Sequence, residues 1–219
     1  MMWGSTRPPL RKRAVITMLS VVLAAVAYAV WSGFVAPHFG PKRFGTVIEG
    51  ALYRSGRIQP TLLPDVLDEY RINDIVTLTY ASNNPAYQRF EENLSSIHGI
   101  GFQRFPMNGN GTGDPAQVVA ALLAIHDAIG RGERVLVQCA AGSERSGAVV
   151  YLYRTLVLGD SPDDAYAELL HYGHRPAANP DLEAFLNANM AYFADALAAH
   201  GIVRPRQSPL PKLPELHRT

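Results

Sequence analysis

The chain reads as an α/β protein: a central, mostly parallel sheet flanked by helices, preceded by one N-terminal transmembrane helix. Three observations predict this. Short apolar runs alternate with segments of helical periodicity from about residue 44 to residue 200, and such alternation implies parallel strands joined by helical crossovers. Apolar residues make up 47% and charged residues 18% of the chain, which supports a packed core and excludes a disordered, charge-rich chain. No charged residue occurs from Ala14 to Pro37.

That uncharged run, residues 14–36, would form a helix of about 35 Å, enough to span a bilayer. Arg7, Arg11, Lys12 and Arg13 precede it; Lys42 and Arg43 follow, partly offset by Glu49. The positive-inside rule then keeps residues 1–13 cytoplasmic and sends the rest across, with Trp31 and Phe34 suited to the far interface. A cleaved signal peptide competes with this anchor, because Ala25-Val26-Ala27 and Ala27-Tyr28-Ala29 both have the small-x-small form of a cleavage site. A buried soluble helix is the third reading. Anchor and signal peptide both imply export.

The elements follow in order. TVIEG and ALYRS are short strands around Gly50, and residues 61–70 form a short helix with Pro64 near its start. DIVTLT, from Asp74 to Thr79, is a β-branched run typical of a buried strand. Residues 85–98 suit a helix ended by Gly99, and GFQRFP, from Gly101, is the next strand. After the glycine-rich NGNGTG, a helix begins at Pro115, its apolar residues Val118, Val119, Leu122, Leu123, Ile125 and Ile129 spaced near 3.6. RVLVQ, residues 134–138, is a strand; a helix from about Ser146 to Leu158 is closed by Gly159. Ser161-Pro162 and Asn179-Pro180 start two more helices by capping logic. The globular domain is therefore residues 44–200. The tail 202–219, with Pro205, Pro209, Pro211 and Pro214, reads as disordered.

Lys+Arg 20 against Asp+Glu 19 leaves a net charge of +1, so no electrostatic footprint for nucleic acid exists. The single cysteine, Cys139, excludes a disulfide framework and a cysteine-rich zinc site.

Cys139 sits in the most informative segment, VLVQCAAGSERSG, residues 135–147. A strand ends, a loop containing Gly142 follows, and a helix begins. Backbone N–H groups and a helix N-terminus then converge on one point, which binds an anion. With Arg145 closing the loop, the same field favours thiolate over thiol at Cys139. The Arg145 guanidinium can hold two phosphate oxygens in a fork. A thiolate, an amide cradle and a bidentate cation together describe phosphoryl transfer to sulfur.

Cys-x5-Arg-Ser with glycine at the fourth position resembles the signature of the cysteine-dependent protein tyrosine phosphatases; Cys139, Gly142, Arg145 and Ser146 carry the match. The resemblance is to the compact dual-specificity-like group, with its bacterial members and its lipid and inositol phosphatases, and spans roughly residues 44–195. LYRSG at 52–56 is similar to an N-terminal segment of the bacterial members. The resemblance implies that Cys139 attacks phosphorus, that residues 140–145 (Ala140, Ala141, Gly142, Ser143, Glu144 and Arg145) bind the phosphate, and that Ser146 helps the thiolate leave. It implies no metal and no organic cofactor. The partners it implies are a phosphorylated protein or phospholipid; with the N-terminal run as anchor and the charge asymmetry about it, the domain is expected periplasmic or extracellular on a bacterial inner membrane.

Two departures stand out. Gln138 occupies the position where the family usually has histidine. The family's acid sits in an earlier loop, and the nearest equivalent here, FPMNGNGTGDP, offers only Asp114. Asp114 is also an excellent N-cap before Pro115, with Gln117 at capping-box spacing. Glu144, inside the loop beside Arg145, is the alternative acid; it could equally be a surface ion-pair member or a helix N-terminal carboxylate. Ser143 and Ser146 lack the G-x-S-x-G elbow of serine hydrolases. His38, His98, His126, His171, His174, His200 and His217 are scattered, and His171 with His174 makes a poor metal pair. Arg54 and Arg57 are either substrate contacts or surface residues, and His174 and Arg175 read as exposed loop residues. The expected activity is phosphate-monoester hydrolysis, with protein tyrosine or dual specificity; a lipid or inositol phosphatase and a weakly active phosphate-binding module are the alternatives.

Overall fold

The computed structural model describes residues 10–31, 40–202 and 209–214. The chain divides into two compact units, Met1–Gly40 and Pro41–Thr219.

In the first unit, α1 (Leu10–Val30) exposes Val15, Ile16, Met18, Leu19, Val22 and Leu23. Among the described residues no helix is long and apolar enough to cross a membrane. The expected transmembrane span 14–36 reaches residues 32–36, which lie outside the described ones.

The second unit carries β1 (Gly45–Ile48), β2 (Leu52–Ser55), α2 (Leu63–Tyr70), β3 (Asp74–Thr77), α3 (Pro85–His98), β4 (Gly101–Arg104), α4 (Pro115–Gly130), β5 (Val135–Gln138), α5 (Glu144–Leu152), α6 (Pro162–His171) and α7 (Asp181–Ala199). The sheet order is β1-β2-β5-β3-β4. Only β1 pairs antiparallel; β2, β5, β3 and β4 are parallel, with Ser55, Gln138 and Thr77 level at one end. The mixed five-stranded sheet matches the α/β expectation. β5 is central and buried along its length, so its C-terminal end is where side chains from both neighbours converge.

Alternation along the strands splits the core in two. Leu52, Val76, Leu78, Val135 and Val137 face α4, α5 and α7, against Leu122, Val149, Leu186 and Phe193. Tyr53, Ile75 and Leu136 face the other way, onto Leu63, Val66 and Leu67 of α2 and Phe90 and Leu94 of α3. Each fully buried aliphatic or aromatic chain contributes roughly 1.5–3 kcal/mol.

Capping fixes the helix starts. Asn84, Asp114 and Ser161 accept hydrogen bonds from Tyr87, Ala116 and Asp164, with proline next in each case. The helix expected from Ser146 begins earlier, at Glu144. It passes at Tyr153–Leu158 into a π-helical turn, where the Thr155 hydroxyl donates back to the Tyr151 carbonyl at 2.8 Å.

The expectation of a disordered tail is corrected over residues 209–214. Leu213 is 2% exposed and joins the main core cluster. Asn187 of α7 fixes its backbone from both sides, donating to the Leu213 carbonyl at 3.0 Å and accepting from its N–H at 2.8 Å. Proline content made this segment look unstructured, yet prolines carry no backbone N–H in need of an acceptor, and one amide side chain satisfies the leucine between them.

Candidate active site

The loop after β5 is shaped from below. The carbonyls of Ala140, Ala141 and Gly142 accept, in turn, from the Arg57 N–H at 3.2 Å, Arg43 Nη1 at 2.8 Å and Arg54 Nη2 at 3.0 Å. In a trans peptide the N–H opposes the C=O, so holding three successive carbonyls outward turns the following N–H groups inward. Gly142 shows the result: its N–H donates to Cys139 Sγ at 3.1 Å. Gly142 has φ +78, and a Cβ there would lie 2.5 Å from the Gly56 nitrogen, so only glycine fits this close approach.

Cys139 is 3% exposed. Burial by itself pushes its thiol up. The Ser146 hydroxyl, the Arg145 charge and the N–H groups of Ser146 and Gly142 outweigh burial, and the thiol is held below its ordinary value. Arg145 is also buried. Its Nη1 reaches the Leu78 carbonyl at 3.5 Å, its Nε has no partner among the described residues, and no carboxylate there pairs with it. Ser146, fully buried, donates to the Ser55 carbonyl at 3.3 Å. Ser143 is buried at the start of α5, and Ala140 and Ala141 are half-buried. The structure thus brings together Cys139, the 140–145 loop, Arg145 and Ser146.

The two candidate acids have different surroundings. Asp114 is exposed and caps α4, accepting from the Ala116 N–H at 2.9 Å. The loop just before it lies against the site, since a Cβ on Gly111 would be 3.1 Å from the Glu144 carbonyl oxygen. Glu144 is tied down by Oε2, which meets His174 Nδ1 at 2.6 Å and accepts from Asn179 Nδ2 at 2.9 Å.

Two expectations are corrected here. His174 is not an exposed loop residue. It is 3% exposed and sits between Glu144 and Glu183, its Nε2 at 2.7 Å from Glu183 Oε1. Burial lowers its pKa, but the hydrogen bonds and charges of the two glutamates prevail and raise it above the ordinary value, so the imidazolium is favoured. Both ring nitrogens are thereby engaged, and among the described residues no group of three or more His, Cys, Asp or Glu could hold a metal ion. Arg54 is neither a substrate contact nor a surface residue. It is fully buried under the loop, paired with Glu168 at 3.0 Å and stacked on the Tyr172 ring at 3.9 Å.

Sequence reasoning missed Glu91 and Tyr87 of α3, which line a narrow gap, too small for water, together with Cys139, Gln138, Ala140 and Arg57. Their only signal was position: Tyr87 and Glu91 are four apart on the apolar side of α3 with Phe90 and Leu94.

No family model matches the chain, and no curated protein matches it in sequence. Solved structures do. TpbA of P. aeruginosa, also solved in complex with phosphotyrosine, is 20% identical with a TM-score of 0.57, covering 72% of this chain and 91% of its own. A DUF442 protein from Shewanella putrefaciens CN-32 is 20% identical with a TM-score of 0.60, over 73% and 96% of the two chains. The catalytic core of Siw14, the PP-IP phosphatase of S. cerevisiae, is 16% identical with a TM-score of 0.55, over 75% and 96%. The chain therefore shares its fold with tyrosine-phosphatase-like phosphatases.

Proposed function

We propose that this protein is a cysteine-dependent phosphatase that hydrolyses phosphate monoesters through a cysteinyl-phosphate, with phosphotyrosine or dual-specificity protein substrates. The observation that carries the reading is the Cys139 sulfur, acidified by Arg145 and Ser146 and held by the Gly142 N–H, at the focus of an inward-facing amide loop. The Cys139 thiolate attacks phosphorus while Arg145 and the loop amides hold the phosphoryl oxygens. The ester oxygen leaves with a proton from Asp114, and water then cleaves the S–P bond with Ser146 stabilising the departing thiolate. Glu144, bound to His174 and Asn179, serves the shape of the loop. The fold shared with Siw14 keeps inositol phosphates as the second substrate class.

A phosphate-release panel of phosphotyrosine and phosphoserine peptides, inositol phosphates and phospholipid head groups tests this. Release from the peptides, lost in Cys139→Ser, supports the reading; release from inositol phosphates or lipids alone selects the second class; binding without release identifies a phosphate-binding module. We also propose export of the domain to the outer side of a bacterial inner membrane, supported by the basic residues before the uncharged run and the exposed apolar side chains of α1. Protease added to spheroplasts should digest the domain; protection would refute export.

A further inference from the structure

Gln138 lies immediately before Cys139 on β5, so its side chain leaves the opposite face of the sheet, toward α3. There its Nε2 donates to Glu91 Oε1. Glu91 is 1% and Gln138 2% exposed, so water is excluded from the pair. One oxygen of each is left over: Glu91 Oε2 and Gln138 Oε1 are both buried and have no partner among the described residues. An ionised carboxylate cannot remedy this, because carboxylate and amide carbonyl only accept. A neutral carboxylic acid can. A proton on Glu91 Oε2 turns it into the donor that Gln138 Oε1 lacks, and acid and amide then close a cyclic pair of two hydrogen bonds.

We propose that Glu91 is a positioning residue for Cys139: it carries a proton that closes a cyclic acid–amide pair with Gln138 and so fixes the end of β5 from which the nucleophile projects. The groups facing Glu91 come from every neighbouring element. On its own helix are Tyr87, whose hydroxyl donates to the Ile58 carbonyl at 2.8 Å, and Gln88, which accepts from the Thr79 hydroxyl at 3.2 Å. Arg104 on β4 donates to Gln88 and Glu92, and Arg57 lies over the Tyr87 ring at 4.9 Å. Burial acts most strongly on Glu91; against it, Tyr87, Gln138, Arg104 and Arg57 favour the anion, and the balance leaves the carboxyl raised to about 7. Gln138 is the residue next to Cys139, so loss of the proton breaks the pair directly before the nucleophile.

The inference takes its purpose from the nucleophilic role of Cys139, but its test needs no turnover. Cys139 is the only cysteine, so its alkylation by iodoacetamide can be followed alone. In Glu91→Gln a second amide can still pair with Gln138 but cannot ionise. The wild-type rate–pH profile should show, besides thiol ionisation, an inflection near pH 7 that Glu91→Gln loses. Infrared spectra should show a neutral carboxyl band at pH 6 that fades as pH rises through about 7 and is missing from Glu91→Gln; this band can be read in the wild type even if the variant folds poorly. Superimposable alkylation profiles, or no neutral carboxyl band at pH 6, would overturn the proposal. Failure of phosphate release with both signatures intact would instead count against the phosphatase reading alone.

Discussion

Arg54 Nη2 donates to the Gly142 carbonyl at 3.0 Å while its Nη1 pairs with Glu168 at 3.0 Å, so one buried side chain joins β2, the loop after β5 and α6. Burial pulls the guanidinium pKa below its ordinary value, and the charge and hydrogen bond of Glu168 pull it back, so the pair offsets the cost of burying the cation. Removing it in Arg54→Met should leave Arg154 as the remaining partner of the Glu168 carboxylate and release a loop carbonyl. Losing one partner of a buried pair costs about 3–5 kcal/mol. Urea denaturation should show that loss, and Arg54→Lys should recover little of it, because one compact ammonium nitrogen cannot reach both Glu168 and the Gly142 carbonyl as the two guanidinium Nη atoms do.

His174 gives the stability a pH dependence of known sign. Its folded pKa is raised above the unfolded value, so its contribution is fully present below roughly pH 6.5 and is lost as pH rises through the folded pKa. Glu91 titrates in the same direction, so the comparison must be a difference. The stability gap between wild type and His174→Gln, measured by urea titration, should be largest at pH 6 and shrink toward pH 9. A gap that widens with pH would contradict the charged assignment.

The two candidate acids separate by leaving group. General acid catalysis is typically worth about 10²–10⁴-fold, and little of it is needed when the leaving group is already a stable anion. Asp114→Asn should therefore slow alkyl phosphates far more than p-nitrophenyl phosphate, while leaving stability nearly unchanged because Asn caps as well as Asp. Glu144→Gln should weaken the His174 and Asn179 contacts and slow both esters alike. Selective loss in Glu144→Gln would reassign the acid.

The tail segment should be structural. Leu213→Ala removes a buried side chain at a typical cost of about 2–5 kcal/mol for a well-packed leucine. Thermal melting of that variant, beside Asn187→Ala, should show both destabilised; unchanged melting temperatures would mean that residues 209–214 add nothing to the fold.

What the sequence made legible was local. The strand–loop–helix around Cys139, the Asn84, Asp114 and Ser161 caps, and the run DIVTLT each depend on residues within a few positions of one another, and the structure has them close to where that chemistry places them. What stayed hidden depends on distant pairs. Glu144 meets His174 across thirty residues, Gln138 meets Glu91 across forty-seven, and Arg54 meets Gly142 across eighty-eight. A charged residue read alone looks solvated; only the fold shows that these are buried and paired. Leu213 was hidden for the converse reason, because its prolines describe backbone habit and say nothing of the α7 groove that receives it.

The proposed mechanism requires a covalent phosphoryl group on Cys139. Acid quench of the enzyme during turnover of a phosphotyrosine peptide, followed by mass spectrometry of the peptide containing residues 135–147, tests it directly. Cys139 in the wild type should carry one added phosphoryl group and Cys139→Ser none, with turnover lost in that variant. Phosphate release by Cys139→Ser at a rate comparable to wild type, or a phosphoryl group on another residue, would contradict it.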